Sequence, residues 1–358
     1  MEAFIQSVGK MCTAVFVLGT ALSCSHQEVN LDNYLYKGIK QTEPIEVGKT
    51  VMLPNKEGGK LSLISNSNPQ VADVEVSAQG LSVHGKQYGL TTVSVQNAQG
   101  KEQSIALSIT GQRPALPTEL FAEYNVAPDG HSFARTHKPE ESGYFDYDAA
   151  AKIVIKVGDK TYRTPTKDEL HALLPYEEEI AYSGREAKNL AFEQAVTIDG
   201  TKLIYGESFY STGRHVAYAL RFGKASHKGS AYAMDNSRLT AFRYEYSVNK
   251  DDPKGGFALK ITARYLGENF QHDINFIASE GFWSSFTWDD ATLILPANGL
   301  RLGTTEITTR GYAGEYWSTS AGFDDLSASA LSFGRMTASS TIHADKSIGR
   351  AVRLILSK

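Results

Sequence analysis

The stretch GEYWSTS, Gly314 to Ser320, decides how the second half of this chain is read. Tyr-Trp ahead of Ser-Thr-Ser allows three chemistries: a sugar-stacking surface, an activated nucleophile, or one buried strand. A nucleophilic Ser318 or Ser320 needs a base spaced to take its proton, and none is placed to do so. No G-x-S-x-G elbow occurs elsewhere in the chain. The choice is left between a platform and a strand.

The segments around it are mostly strand-like. KIVIKV, KLIYG, YALRFG, RYEYSV, FALKITARYLG, TLILPA, ALSFG and AVRLIL are short apolar or alternating runs broken by turn residues. One helix stands out in TPTKDELHALLPY. Thr166 is a candidate N-cap with Glu169 three residues on, the spacing of a capping box. Leu170, Leu173 and Leu174 supply the apolar stripe, and Pro175 stops the helix. One helix among many strands predicts an α+β domain.

Upstream, Glu43 to Thr110 is a series of short runs such as KLSLIS, VADVEVS, TTVSVQN and SIALSIT, separated by Gly, Asn and Pro. This pattern predicts an all-β sandwich. GQRPALP (Gly111 to Pro117) reads as a linker, because its two prolines suit neither strand nor helix. The expected class is therefore mainly β, a β-sandwich followed by an α+β domain.

Composition agrees with a folded protein that does not bind nucleic acid. The 358 residues are 41% hydrophobic and 21% charged, with a net charge of −4 and no basic stripe. Both cysteines, Cys12 and Cys24, lie near the N-terminus. Met11 to Leu22 is an apolar run too short to span a bilayer as a mature helix, as in a secretory signal. Ala21-Leu22-Ser23-Cys24 resembles a bacterial lipobox, although Ala21 stands where Leu is usual and Lys10 is offset by Glu2. That resemblance implies cleavage before Cys24 and a lipid anchor such as palmitate on it. No other cysteine would then remain for a disulfide or thiol catalysis.

Two family resemblances organise the rest. VGKTVML, SNSNPQVADVEV and GLSVHGKQYGLTTVSVQN, in that order, resemble bacterial Ig-like domains of group 2, which implies a spacer or stalk. ELFAEYNVAP, KPEESGYFDY, YRTPTKDELHALL, LILPANGLRLGTT and GEYWSTS…ALSFG…SIGRAVRLI resemble, in order, the major paralogous (FISUMP) domains of Bacteroidetes-type lipoproteins. That family is similar to C-type-lectin-like and formylglycine-generating folds, in which a terminal strand pairs near the domain's start and long loops carry function. Arg163, Pro165, Glu169, Pro296, Gly299, Trp317, Ser318 and Arg353 stand at its structural signature positions. The resemblance implies that Trp317 packs under AVRLIL and that the neighbouring hydroxyls satisfy backbone groups. Tyr162 replaces the usual Trp, and Tyr176 to Arg243 matches no motif of the family. The expected partition is signal peptide 1–23, tether 24–40, Ig-like domain 41–111, linker 112–118 and C-type-lectin-like domain 119–358.

Site chemistry is sparse. The histidines are scattered, with His131 and His137 sharing a loop but lacking zinc spacing. The carboxylate pairs Asp289-Asp290, Asp324-Asp325 and Glu177 to Glu179 are adjacent in sequence, unlike glycosidase pairs. Calcium is the one ion left open, because TWDDATL is superficially similar to a lectin ligand strand and KDDPKGG is oxygen-rich. No cofactor is otherwise expected. GFWSSFTW alternates enough to expose one face, so Trp283 and Trp288, with Asp289 and Asp290, are the candidate ligand-binding residues.

The expectation is a non-enzymatic, lipid-anchored outer-membrane protein, more often surface-exposed than periplasmic, whose Ig-like stalk presents a lectin-like domain to a glycan or surface protein. A structural subunit of a fimbria and an envelope carbohydrate-active enzyme are the alternatives.

Overall fold

A computed structural model describes residues 34–35, 39–55, 58–174, 180–181, 187–198, 201–211, 215–221, 224–228, 231–235, 240–267, 274–278, 280–285 and 289–357. The signal segment, Cys24, most of the tether, Glu177 to Glu179 and Trp288 lie outside the described residues. The protein is mainly β, a β-rich N-terminal domain followed by a mixed domain.

In the N-terminal domain, alternation does the work the sequence suggests. Val93 and Val95 on strand Gly89–Asn97, and Ile105, Leu107 and Ile109 on strand Glu102–Thr110, point to one face. They pack against Leu53, Leu81 and Val83 of a second sheet, ordered Thr50–Pro54, Gly80–Gly85, Ala72–Ser77. The first sheet runs Tyr34–Leu35, Ile39–Gln41, Glu102–Thr110, Gly89–Asn97, Leu61–Asn66.

The C-terminal domain is built on a six-stranded antiparallel sheet. Its order is Ala187–Ile198, Thr201–Ser211, Val216–Arg221, Thr240–Val248, Phe257–Tyr265, Ala291–Pro296. Its first three strands come from the region that matched no family motif. A four-stranded sheet (Ile180–Ala181, Thr337–Asp345, Ser327–Phe333, Gly314–Ala321) and a three-stranded one (Val154–Val157, Lys160–Arg163, Ile355–Leu356) complete it. The expected helix forms at Lys167–His171. Thr166 Oγ accepts from the Glu169 N–H, and Glu169 returns a bond from the Thr166 N–H at 2.8 Å. Leu170, Leu173 and Leu174 enter the main core beside Phe242, Tyr244, Leu259 and Ile261.

The final segment pairs with the domain's opening one. The Ala122 N–H donates to Leu354 O and the Val126 N–H to Val352 O. This closure places residues distant in sequence around a buried polar chain. Asn125 donates to Ser142 Oγ (2.9 Å), Ser142 donates to Asn298 Oδ1 (3.1 Å), and Asn298 Nδ2 donates to Tyr316 Oη (2.7 Å). Tyr316 in turn donates to Pro296 O at 2.7 Å, and burial holds its hydroxyl protonated far above the usual range.

The two domains are docked rather than strung on a free linker. Strand Glu102–Thr110 is buried on both faces: Ala106, opposite the core valines and isoleucines, joins Leu90, Tyr218, Leu220, Ala241, Leu266 and Phe282 in one apolar cluster. Tyr88 contacts Tyr265 ring to ring at 5.1 Å. Segment 112–118 is itself packed: Leu116 and Thr118 are buried, and Thr118 donates to Ala291 O.

Candidate functional site

Strand Gly314–Ala321 answers the platform-or-strand question residue by residue. Side chains on a strand alternate between faces, so Tyr316 enters the main core while Trp317 enters a second one with Val352, Leu354, Ala328 and Ala330. Trp317 is fully buried, donates its indole N–H to Phe145 O at 2.8 Å and lies under the Arg350 guanidinium. The three hydroxyl residues serve the backbone. Ser318 Oγ donates to Ser329 O (2.7 Å), the Thr319 N–H donates to Pro165 O (2.7 Å), and Ser320 Oγ accepts from the Lys167 N–H at the helix start (3.0 Å). Ser318 has no ring nitrogen or carboxylate among its bonded partners. An organophosphate serine probe is therefore expected to leave the folded chain unlabelled, and Ser318→Ala is expected to cost about 1 kcal/mol of stability. Mass spectrometry after probe treatment and a urea titration check both.

The remaining signature positions are also structural contacts. Arg163 grips Glu169 through two bonds of 2.8 and 2.6 Å. Gly299 sits at φ +71°, where a Cβ would come within 2.0 Å of Thr308 O. Arg353 is treated in the Discussion.

The candidate ligand residues are not gathered into a ledge. The described part of GFWSSFTW is not a strand with an exposed face: residues Glu280–Ser285 are helical. Trp283 is half-buried, donates its indole N–H to Ile277 O at 3.0 Å, stacks on Tyr218 and carries the Arg264 guanidinium 4.7 Å from its ring centre. Asp290 closes the same cluster with a two-pronged pair to buried Arg264 (2.7 and 2.8 Å). Asp289 accepts from Arg113 at 3.1 Å, and Arg113 also grips Glu119 through two 2.8 Å bonds. Those bonds hold the Glu119 carboxyl below the usual carboxylate range. Trp283 and Asp290 are thus bonded within the C-terminal domain, and Asp289 to Arg113 of the segment leading into it. Trp288 lies outside the described residues.

The oxygen-rich segment KDDPKGG is a turn between strands Thr240–Val248 and Phe257–Tyr265. Asp252 accepts from the Lys254 and Gly256 N–H groups, and Asp251 accepts from the His137 N–H. Among the described residues no group of three or more His, Cys, Asp and Glu side chains could hold a metal ion.

What the sequence reading missed is where the loops converge. The segments carrying His137 and Tyr144, Asn249 to Gly256, and Asn298 to Tyr312 meet at one end of the domain. Tyr144 is buried and donates to Asn298 O at 2.6 Å, which ties it to the internal polar chain. Arg310 donates to Tyr144 Oη at 3.4 Å and lies over its ring. Burial raises the Tyr144 hydroxyl pKa, against the charges of Arg310 and Arg301. Beside them Lys254 pairs with Glu140 at 2.8 Å, a bond that lowers the Glu140 carboxyl pKa. No local motif marks these arginines; the fold brings Arg310 onto Tyr144.

A docked pair of β-rich domains, one with buried polar wiring and loops gathered at one end, is the class of protein defined here. Residues 113–355 match the family described as Domain of unknown function (DUF8237), and the chain belongs to that family. Residues 41–110 match the Pilus formation protein N terminal region, which points to a surface- or secretion-associated, envelope-type protein. The stretch resembling a bacterial Ig-like domain is the one so matched, and the matches include neither the major paralogous nor the C-type-lectin families. No curated protein matches the chain. No helix among the described residues is long and apolar enough to cross a membrane.

Proposed function

We propose that this chain is a non-enzymatic binding protein of the cell envelope, lipid-anchored through Cys24 at the outer membrane and exposed at the surface. Its pilus-type N-terminal domain and docked C-terminal domain together present the loop end to a glycan or surface-protein ligand. The observation that carries this reading is the match of residues 41–110 to a pilus-formation N-terminal region, joined directly to a domain with loops gathered at one end. The commitment of Ser318, Ser320, Asp289 and Asp290 to structural bonds favours binding over hydrolysis. The terminal-strand closure is consistent with the resemblance to major paralogous and C-type-lectin-like domains, a likeness of architecture that does not fix function.

A second reading is favoured by one feature. Strand Leu61–Asn66 ends its sheet, with Leu63 and Ile64 42% and 47% exposed, and its outer edge bonds to no other described strand. Such an edge can accept a partner strand, as a subunit of a surface appendage would require.

Fractionation and protease shaving of intact cells test both. The expected result is an outer-membrane protein cleaved from outside, released to the soluble fraction by Cys24→Ala. Membrane retention of Cys24→Ala would sink the anchor. Co-purification with filaments, lost on Ile64→Lys, would favour the subunit reading.

A further inference from the structure

We propose that Arg301, Arg310 and Tyr144 form an oxyanion cleft that receives the acidic group of a saccharide, an inference that rests on the binding-protein reading above.

Charge balance comes first. Among the described residues Arg301 and Arg310 form no ion pair, and the nearby Glu140 carboxylate is taken by Lys254 at 2.8 Å. Five other arginines, Arg113, Arg163, Arg243, Arg264 and Arg350, each hold a carboxylate. Glu140 feels the Arg310 charge without pairing with it, so neither guanidinium at the loop end has a bonded carboxylate among the described residues.

Hydrogen bonding points the same way. Nε of Arg301 and Nε of Arg310 are buried and, among the described residues, have no acceptor; the one side-chain bond there from either group is the long 3.4 Å contact from Arg310 to Tyr144. A buried donor left unmatched costs roughly 1–3 kcal/mol, so these groups are poised for an acceptor from outside the chain. A guanidinium fork suits the paired oxygens of a carboxylate or sulfate.

Preorganisation is already present. Tyr144 is fixed by its bond to Asn298 O, and Asn298 is fixed by Ser142 and Tyr316. Arg301 is held by backbone bonds in both directions with Gly349. The saccharide rather than a free ion is indicated by Tyr312, two positions from Arg310. It is 69% exposed and able to stack on a sugar ring beside the anchored acid.

The test is calorimetric titration of the full chain with a uronic-acid oligosaccharide, its methyl-esterified neutral form and inorganic sulfate. The acid is expected to bind, to weaken as salt rises, and to be displaced by excess sulfate. The ester, and the acid on Arg310→Gln or Arg301→Gln, are expected to bind about ten-fold more weakly, one good charge-assisted contact. No binding of the acid, equal binding of acid and ester, or variants that melt normally and bind like the parent would each overturn the proposal. Sulfate binding as tightly as the oligosaccharide overturns it too, leaving an ion site only. Should a variant melt early, sulfate displacement on the unaltered chain decides: failure to displace overturns the cleft. Cell shaving is independent of this result. An exposed chain blind to acidic sugar sinks this cleft alone, whereas a buried chain that still binds it sinks only the surface reading.

Discussion

Arg353→Leu is expected to destabilise the C-terminal domain by about 3 kcal/mol or more, a large share of the roughly 5–15 kcal/mol that holds a typical domain folded. Arg353 is fully buried and forms no ion pair among the described residues. Its charge is instead met by backbone and amide oxygens: Nε donates to Asn125 Oδ1 (2.8 Å), one terminal nitrogen to Ala122 O and Glu123 O (3.0 and 2.6 Å), and the other to Ile294 O (2.8 Å). Burial pulls its pKa down to about 10, so it remains a cation at neutral pH. Two effects compete on substitution. Removing a buried charge relieves a desolvation cost of several kcal/mol. It also breaks four bonds from a charged donor, each worth roughly 1.5–3 kcal/mol, and orphans their acceptors. The second effect wins, because leucine gives those oxygens nothing and they remain enclosed. The acceptors lie on the opening segment and on strand Ala291–Pro296, so the closure of the domain loosens with them. Arg353→Lys is expected to recover only part of the loss, since one ammonium cannot reach oxygens that a planar fork meets in three directions. Urea titration followed by tryptophan fluorescence measures both. A leucine variant within about 1 kcal/mol of the parent would show that the closure does not depend on this residue.

Several parts of this architecture are legible in the chain because their signals are local. Thr166 and Glu169 sit three apart and cap one helix; Val93, Val95, Ile105, Leu107 and Ile109 alternate and fill one core. The mainly β class follows from such periods. The candidate site is not legible, because ion pairing is not local. Asp290 reads as a free surface acid until the fold places Arg264 against it, and Asp289 until it brings Arg113. Trp283 reads as an exposed aromatic because GFWSSFTW looks alternating, yet it lies in the helix Glu280–Ser285 with its indole bonded and stacked. Arg301 and Arg310 carry no pattern at all. Their lack of a paired carboxylate among the described residues shows only once the fold sets their neighbours around them. The docking face is hidden for another reason. Leu90 and Ala106 are ordinary strand residues, and nothing in a two-residue period says that a second domain covers the outer face of the sheet.

That docking supplies the other large expected effect. Gly267→Ala should separate the two domains. Gly267 lies at φ +82°, and a Cβ built on it would fall 2.4 Å from Tyr88 O and 3.1 Å from the Gly89 Cα. Both obstacles are backbone of the N-terminal domain and cannot rotate away. The substitution therefore carries the left-handed penalty of roughly 1–2 kcal/mol and about 1–3 kcal/mol more from overpacking at the interface. Relief requires the domains to part, which breaks the Tyr88–Tyr265 contact and opens the cluster of Leu90, Ala106, Tyr218, Leu266 and Phe282 to water. Gly100→Ala is the matched control: its φ of +79° is nearly the same, but a Cβ there meets nothing within 4 Å. If docking couples the domains, the parent and Gly100→Ala melt in one transition while Gly267→Ala melts in two and scatters X-rays as a more extended particle. A single transition and an unchanged radius of gyration for Gly267→Ala would mean that the interface yields without consequence. The N-terminal domain would then serve as the simple spacer implied by its Ig-like pattern. The two-transition result would instead make it part of the rigid base on which the loop end is held.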